Sequence, residues 1–167
     1  MTLTGFWTLD PIDGTTGFLR GGQYAVCLSL IENGEPQVSV LACPNFPYDW
    51  MESSKERGML FYGVAGDKAF EKALFNNTTI QPQVCTMRMI ENFSQATFCE
   101  SYESGHSSHK QQAEIAKLLG IRTDSVRMDS QAKYAAITRG SADIYLRLPS
   151  NMNYEEKIWV LSFHFRF

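Results

Sequence analysis

Short alternations of apolar and polar positions, rather than any long apolar run, organise the first half of this chain. From Gln23 to Ile31, residues Tyr24, Val26, Leu28 and Leu30 alternate with Ala25, Cys27, Ser29 and Ile31, the pattern of a strand with one face fully buried and the other partly so. Asn33-Gly34 follows, and because both central positions of a type I′ turn need positive φ, the pair predicts a hairpin. Gln37 to Ala42 is the returning strand, which Cys43-Pro44-Asn45-Phe46-Pro47 is expected to stop. Glu52 to Arg57 reads as an exposed polar loop, and Met59 to Val64 with Lys68 to Phe70 predict a second hairpin turned at Gly66-Asp67. Upstream, Phe6 to Leu9 reads as a buried strand whose regular pairing Pro11 ends, and Gly14 permits a backbone conformation that other residues resist.

The pattern changes after Asn76 to Gln83, a polar stretch containing Pro82 that marks a domain boundary near residue 85. Thr97 to Glu100 predicts a short strand. Ser108-His109-Lys110-Gln111 fits a capping box that opens a helix with Ile115, Ala116 and Leu119 on one face and Gly120 at its end. Val126 to Met128 is a further strand, Gln131 to Arg139 a helix ended by Gly140, and Asp143 to Leu148 a third strand. Strands alternating with helices imply a βαβ-type half with a largely parallel or mixed sheet, so the fold class is α/β, with domains over 1–85 and 86–159.

The chain has 167 residues, of which 44% are hydrophobic, enough for the core of one ordinary domain or two small ones. A net charge of −3 argues against a nucleic-acid groove built on bulk electrostatics, while leaving room for a local basic pocket. No apolar run is long enough to cross a bilayer and no signal peptide opens the chain, so no membrane partner is expected, and the compartment is expected to be intracellular, cytoplasmic first, with plastid or mitochondrion as alternatives. Cys27, Cys43, Cys85 and Cys99 lack a C-x-x-C spacing and sit in apolar segments, which predicts buried reduced thiols rather than a zinc site or a disulfide framework.

Two constellations carry candidate chemistry. In the first, Asp10 and Asp13 leave the end of the opening strand close together, where two carboxylates repel unless they share a proton or hold a cation. Mg²⁺ takes oxygen ligands, and Asp10, the Ile12 carbonyl and Asp13 supply three; Thr15 adds a hydroxyl and an N–H at which a phosphate can dock. An isolated D-P-x-D-G is nonetheless more often a simple turn. In the second, Ser130-Gln131-Ala132-Lys133 opens a helix whose free N–H groups attract anions. Lys133 in that first turn opposes the helix dipole, at a cost of a few tenths of a kcal/mol to about one unless an anion compensates it. Tyr145 and Arg147 share a strand face. A solvated lysine and a snorkelling arginine are equally consistent with this spacing. His106 either donates to a phosphate or sits in a polar loop, and pairing it with His109 as a zinc site lacks further ligands.

The string Trp7-Thr8-Leu9-Asp10-Pro11-Ile12-Asp13-Gly14-Thr15-Thr16-Gly17-Phe18 resembles the signature of the inositol monophosphatase superfamily of lithium-sensitive, Mg²⁺-dependent phosphatases. Gly17-Phe18-Leu19-Arg20-Gly21, Gly105 to His109, Asp129 to Tyr134, Tyr145 to Pro149 and Tyr154 to Trp159 resemble, in the same order, segments of its 3'(2'),5'-bisphosphate nucleotidases, plant members included. The resemblance implies a layered α-β-α-β-α fold, incomplete in this chain. It implies Mg²⁺ on Asp10, the Ile12 carbonyl and Asp13, with Thr15 orienting the attacking water. His106, Ser130, Lys133 and Arg147, beside Gly14 and Thr15, would hold the phosphates and sugar. The implied reaction removes the 3'-phosphate of adenosine 3',5'-bisphosphate to give AMP and phosphate, a step of sulfur metabolism, with inositol polyphosphates as further small-molecule substrates. The family also draws a Glu and an Asp from upstream of the signature, and follows its Lys-Ile-Trp with an Asp where this chain has Val160. The tail 160–167 is unlike the family and reads as an altered frame or retained intron. The chain is therefore expected to be truncated at both ends, and two readings stand: a weak or inactive catalyst, and a binding remnant using Ser130, Lys133 and Arg147.

Overall fold

The order of elements is β1 (Gly5–Asp13), the short helix α1 (Thr15–Leu19), β2 (Ala25–Glu32), β3 (Glu35–Pro47), β4 (Arg57–Val64), β5 (Ala69–Ala73), β6 (Gln83–Val84), β7 (Phe98–Glu100), α2 (His109–Leu119), β8 (Val126–Arg127), α3 (Ala132–Arg139) and β9 (Ile144–Tyr145). The computed structural model describes residues 5–49, 56–75, 81–103 and 108–148. His106, most of the Glu52 to Arg57 loop and the segment from Pro149 through the tail lie outside the described residues.

Among the described residues, β1 to β6 form one sheet in chain order, every neighbouring pair antiparallel. The Asn33-Gly34 turn is as the sequence requires: φ is 53° and 83° at the two central positions, and Glu32 faces Glu35 across the hairpin. The turn before β5 has Gly66 at φ 82°. On β2 the buried face is Ala25, Cys27, Ser29 and Ile31. Cross-strand partners share a face of the pleat, so Cys27, Leu41 and Phe61 line up toward the core. The opposite face carries Leu28, Leu30, Val38, Val40, Leu60 and Tyr62, all partly buried.

Two expectations for this sheet are corrected. Phe6 to Leu9 does form strand, but Phe6, Trp7 and Leu9 are more than half exposed, because β1 is the sheet's outer strand and has a paired neighbour on one side only. Regular pairing does stop at Pro11, as expected, and resumes at Asp13. The register shifts between Asp10, opposite Cys27, and Asp13, opposite Ala25, a bulge that places Pro11 where no ladder N–H is needed. β3 likewise continues past Cys43 to Pro47 through an irregularity that skips from Cys43 to Pro47, which lets two prolines stay in the strand.

The second sheet is β8-β7-β9, parallel throughout, as the alternation of strands and helices predicted. α3 lies between the sheets and touches β3, β7 and β9. Its Ala132, Ala135 and Ala136 are buried in one core cluster with Cys27, Leu41, Phe46, Phe61, Cys99 and Met128, the small side chains letting the helix approach both sheets. Arg139 at its end pairs with Glu71 of β5, donates from Nη1 to the Pro47 carbonyl at 2.7 Å, and lies over the Phe46 and Phe61 rings. The four cysteines are free and buried, as expected. In α2, Ser108 caps the Gln111 N–H and Gly120 ends the helix at φ 71°. Of Ile115, Ala116 and Leu119, expected on one face, the first two are partly covered and Leu119 is exposed, and the buried residue of the helix is Gln112.

Candidate functional site

The bulge at Pro11 is what shapes the site. It turns the end of β1 so that Gly14 follows in a left-handed conformation, φ 82°, and α1 begins at Thr15. The Ile12 N–H donates to Asp10 Oδ1 at 3.1 Å, and the Thr15 hydroxyl reaches back to the Ile12 carbonyl at 3.4 Å. Gly14 and Gly17 are both required to be glycine, because the segment Asp129-Ser130 lies directly against them. A Cβ on Gly14 would stand 2.6 Å from Ser130 Cβ, and one on Gly17 would stand 2.1 Å from the Gln23 carbonyl and 2.7 Å from Asp129.

Ser130 itself has φ 65°, a left-handed conformation that costs a serine about 1–2 kcal/mol. That conformation brings its hydroxyl to the Ala132 N–H at 3.1 Å, where it serves the first turn of α3. It also aims the Gln131 N–H at Asp13, whose Oδ2 accepts from it. The acidic corner and the helix mouth, separate motifs in the sequence, are thereby joined through a direct hydrogen bond.

Lys133 sits one turn deeper. It is 6% exposed, so the solvated alternative is overturned. Its ammonium donates to the Ser130 carbonyl at 2.9 Å and to the Met128 carbonyl at 3.4 Å, and lies 5.6 Å from the centre of the Tyr145 ring. Burial pushes its pKa down from the ordinary lysine value, against the upward pull of neighbours including Asp13. Burial pushes Asp13 the other way, upward, aided by the charge of Asp10 and opposed by the Gln131 N–H, Lys133 and Arg147.

A cleft of about 280 Å³ opens at this junction, with Asp13, Gly14, Thr15, Ser130, Lys133 and Arg147 among the residues on its wall. All six are residues that the sequence singled out. Asp10 and Ile12 are not among the residues lining the cleft, and Asp10 acts on Asp13 through its charge. Arg147 is exposed at the rim, and β9 ends at Tyr145 rather than running to Leu148. Sequence reasoning missed Ser101 and Glu103, which also line the cleft. It also missed that Arg20 bridges Glu103 and Asp129. Arg20 lay within the motif read for family, and the other two carried no signal.

The donor set of the acidic corner is all oxygen: two carboxylates and a backbone carbonyl. Asp10 Oδ2 and Asp13 Oδ1 make no hydrogen bond among the described residues. Hard oxygen donors, with one carboxylate burdened by burial and by a like charge, fit a divalent cation such as Mg²⁺. Among the described residues no third His, Cys, Asp or Glu joins them in a metal-binding group.

The sequence pattern of the inositol monophosphatase family matches residues 3–159. The chain belongs to that family. Members of the inositol monophosphatase family are generally metal-dependent, in keeping with the acidic corner. The chain is 51% identical over 154 residues to a 3'(2'),5'-bisphosphate nucleotidase of Schizosaccharomyces pombe, covering 92% of this chain and 43% of that protein. It is 46% identical over 164 residues to a 3'(2'),5'-bisphosphate nucleotidase of Emericella nidulans, covering 92% and 47%. The chain thus spans under half the length of these curated relatives. The structure of an inositol monophosphatase from Zymomonas mobilis superposes with a TM-score of 0.63 at 18% identity, over 95% of this chain and 52% of that one, which establishes the shared α/β fold.

Proposed function

We propose that the cleft is the phosphate-ester site of a 3'(2'),5'-bisphosphate nucleotidase, removing the 3'-phosphate of adenosine 3',5'-bisphosphate to leave AMP. The observation that carries this reading is the hydrogen bond from Gln131 N–H to Asp13, which sets an anion-seeking helix mouth beside the carboxylate pair. The names of the relatives support the substrate class.

Each residue then has a defined task. Asp10, the Ile12 carbonyl and Asp13 would hold Mg²⁺, which supplies an acidified water and charge neutralisation at the phosphoryl group when bound. Lys133 and Arg147 neutralise the phosphoryl oxygens, Lys133 as a buried point charge and Arg147 from the rim. The Ser130 hydroxyl, whose oxygen accepts from the Ala132 N–H, donates its own proton to the ester at the positive end of α3. Thr15, with its hydroxyl on the Ile12 carbonyl, orients a water toward the same point. Gly14 lets the acidic motif pack directly against Ser130, where a Cβ would stand 2.6 Å from the Ser130 Cβ.

Phosphate release from adenosine 3',5'-bisphosphate in the presence of Mg²⁺, with Asp10→Asn as control, tests the proposal. Turnover that the substitution abolishes supports it, and parallel assays on inositol polyphosphates rank the substrates. The absence of both turnover and binding overturns it. A second reading, a binding module without turnover, is favoured by the lack of a third acidic ligand among the described residues. Tight binding of the bisphosphate with no phosphate released would select it.

A further inference from the structure

Arg20 ends α1 and takes no part in the phosphate-binding set, yet it touches both walls of the cleft. Its Nη1 donates to Glu103 and its Nη2 to Asp129 Oδ2 at 2.7 Å, while the guanidinium lies 5.4 Å from the centre of the Tyr102 ring. Glu103 belongs to the rim that follows β7, and Asp129 immediately precedes the left-handed Ser130. The side chain of Asp129 is only 8% exposed, so without Arg20 its carboxylate would face burial with its strongest partner removed.

We infer that Arg20 is a positioning residue: one guanidinium ties the Ser101–Glu103 rim to the Asp129–Gln131 turn and so fixes the width of the cleft and the aim of the Gln131 N–H. The planar fork suits this task, because two carboxylates on different elements are met by two nitrogens held at a fixed angle. A lysine would have to draw both carboxylates to a single nitrogen, whereas the guanidinium spans them with two. Gly17 serves the same arrangement from the other side, since its missing side chain lets Asp129 lie directly against α1, where a Cβ would stand 2.7 Å from it. Arg20 thereby converts the Gly17-Phe18-Leu19-Arg20-Gly21 motif from a loop into the clasp of the site. This inference rests on the nucleotidase reading for its ligand but not for its geometry.

The test compares the wild-type chain with Arg20→Gln, Arg20→Lys and Glu103→Gln. Two quantities are read: affinity for adenosine 3',5'-bisphosphate with Mg²⁺, by calorimetric titration, and hydrogen exchange at the Gln131 amide relative to core amides such as Leu41. Arg20→Gln is expected to weaken binding about tenfold and to speed exchange at Gln131 while Leu41 stays protected. Arg20→Lys and Glu103→Gln are expected to fall between it and wild type. Unchanged affinity and unchanged Gln131 exchange in Arg20→Gln overturn the inference, as does an equal loss of protection at Leu41, which would mark a general loosening. If the wild-type chain binds no bisphosphate, the nucleotidase reading fails, and Gln131 exchange still decides the clasp.

Discussion

A Cβ on Gly14 would stand 2.6 Å from the Cβ of Ser130, so the glycine of the acidic motif and the serine of the helix mouth are in direct contact across two distant parts of the chain. Gly14→Ala is therefore strained twice, by φ 82° and by the collision. We expect it to destabilise the chain by about 2 kcal/mol or more, of which roughly 1–2 kcal/mol is the left-handed backbone alone. Urea denaturation measures the loss, and a stability within a few tenths of wild type would contradict the contact.

Burial holds the Asp13 carboxyl above its ordinary value of 3.8. Between 3.8 and the raised value the folded chain binds more protons than the unfolded one, so this group's contribution to stability falls as pH rises through that window. Asp13→Asn is expected to remove that dependence and to leave the metal-free chain at least as stable at neutral pH. Thermal unfolding followed across the acidic range checks both points.

The same carboxylates should respond to a cation. Added Mg²⁺ is expected to raise the thermal midpoint of the wild-type chain with increasing concentration, because binding to the folded state alone stabilises it. Asp10→Asn and Asp13→Asn should each abolish most of the rise. Scanning calorimetry with Ca²⁺ and Na⁺ as comparison ions tests whether the donor set selects a small divalent ion.

Lys133 gives the opposite pH dependence. Burial lowers its ammonium below the ordinary 10.5, so the unfolded chain binds more protons between the lowered value and 10.5, and stability rises with pH through that range. Lys133→Met keeps the apolar stem and removes the charge. Stability near neutral pH should not fall, whereas phosphate affinity should drop about tenfold or more, the worth of a charge-assisted hydrogen bond of roughly 1.5–3 kcal/mol.

Arg139 ties α3 to the large sheet through Glu71, with both side chains largely buried at 11% and 14% exposure. Glu71→Ala leaves the guanidinium buried without its counter-charge, and is expected to cost about 3–5 kcal/mol. The double substitution with Arg139→Met should recover part of that loss. Urea denaturation of the four chains in the cycle measures the coupling.

How much of this was legible in the sequence depended on distance along the chain. Asn33-Gly34 fixed a hairpin because the demand for positive φ is local, Gly120 and Gly140 ended helices for the same reason, and Ser108 opened one through an equally local side-chain cap. The helix α1 was not foreseen: Thr15 to Leu19 is too short to show a periodicity, and only the left-handed Gly14 starts it. The exposure of Trp7 and Leu9 was misread, since their apolar character says nothing about which strand lies at the sheet's edge. Pro44 and Pro47 suggested a stop, and a local register shift absorbed them instead. In the site, Asp13, Thr15, Ser130 and Lys133 were singled out by local chemistry together with the family resemblance, and all four line the cleft. The burial of Lys133 and the bridge from Arg20 to Glu103, 83 residues away, are tertiary facts that no window of sequence carries.

The enclosed, unpaired cysteines provide a way to watch the molecule come apart. Burial pushes the thiols of Cys43, Cys85 and Cys99 up to about 12, so an alkylating reagent at neutral pH meets neither exposed sulfur nor thiolate until the chain opens. Cys27 and Cys43 lie in the large sheet and Cys99 in the small one. The order in which mass spectrometry finds them labelled therefore reports which layer yields first, with no introduced probe.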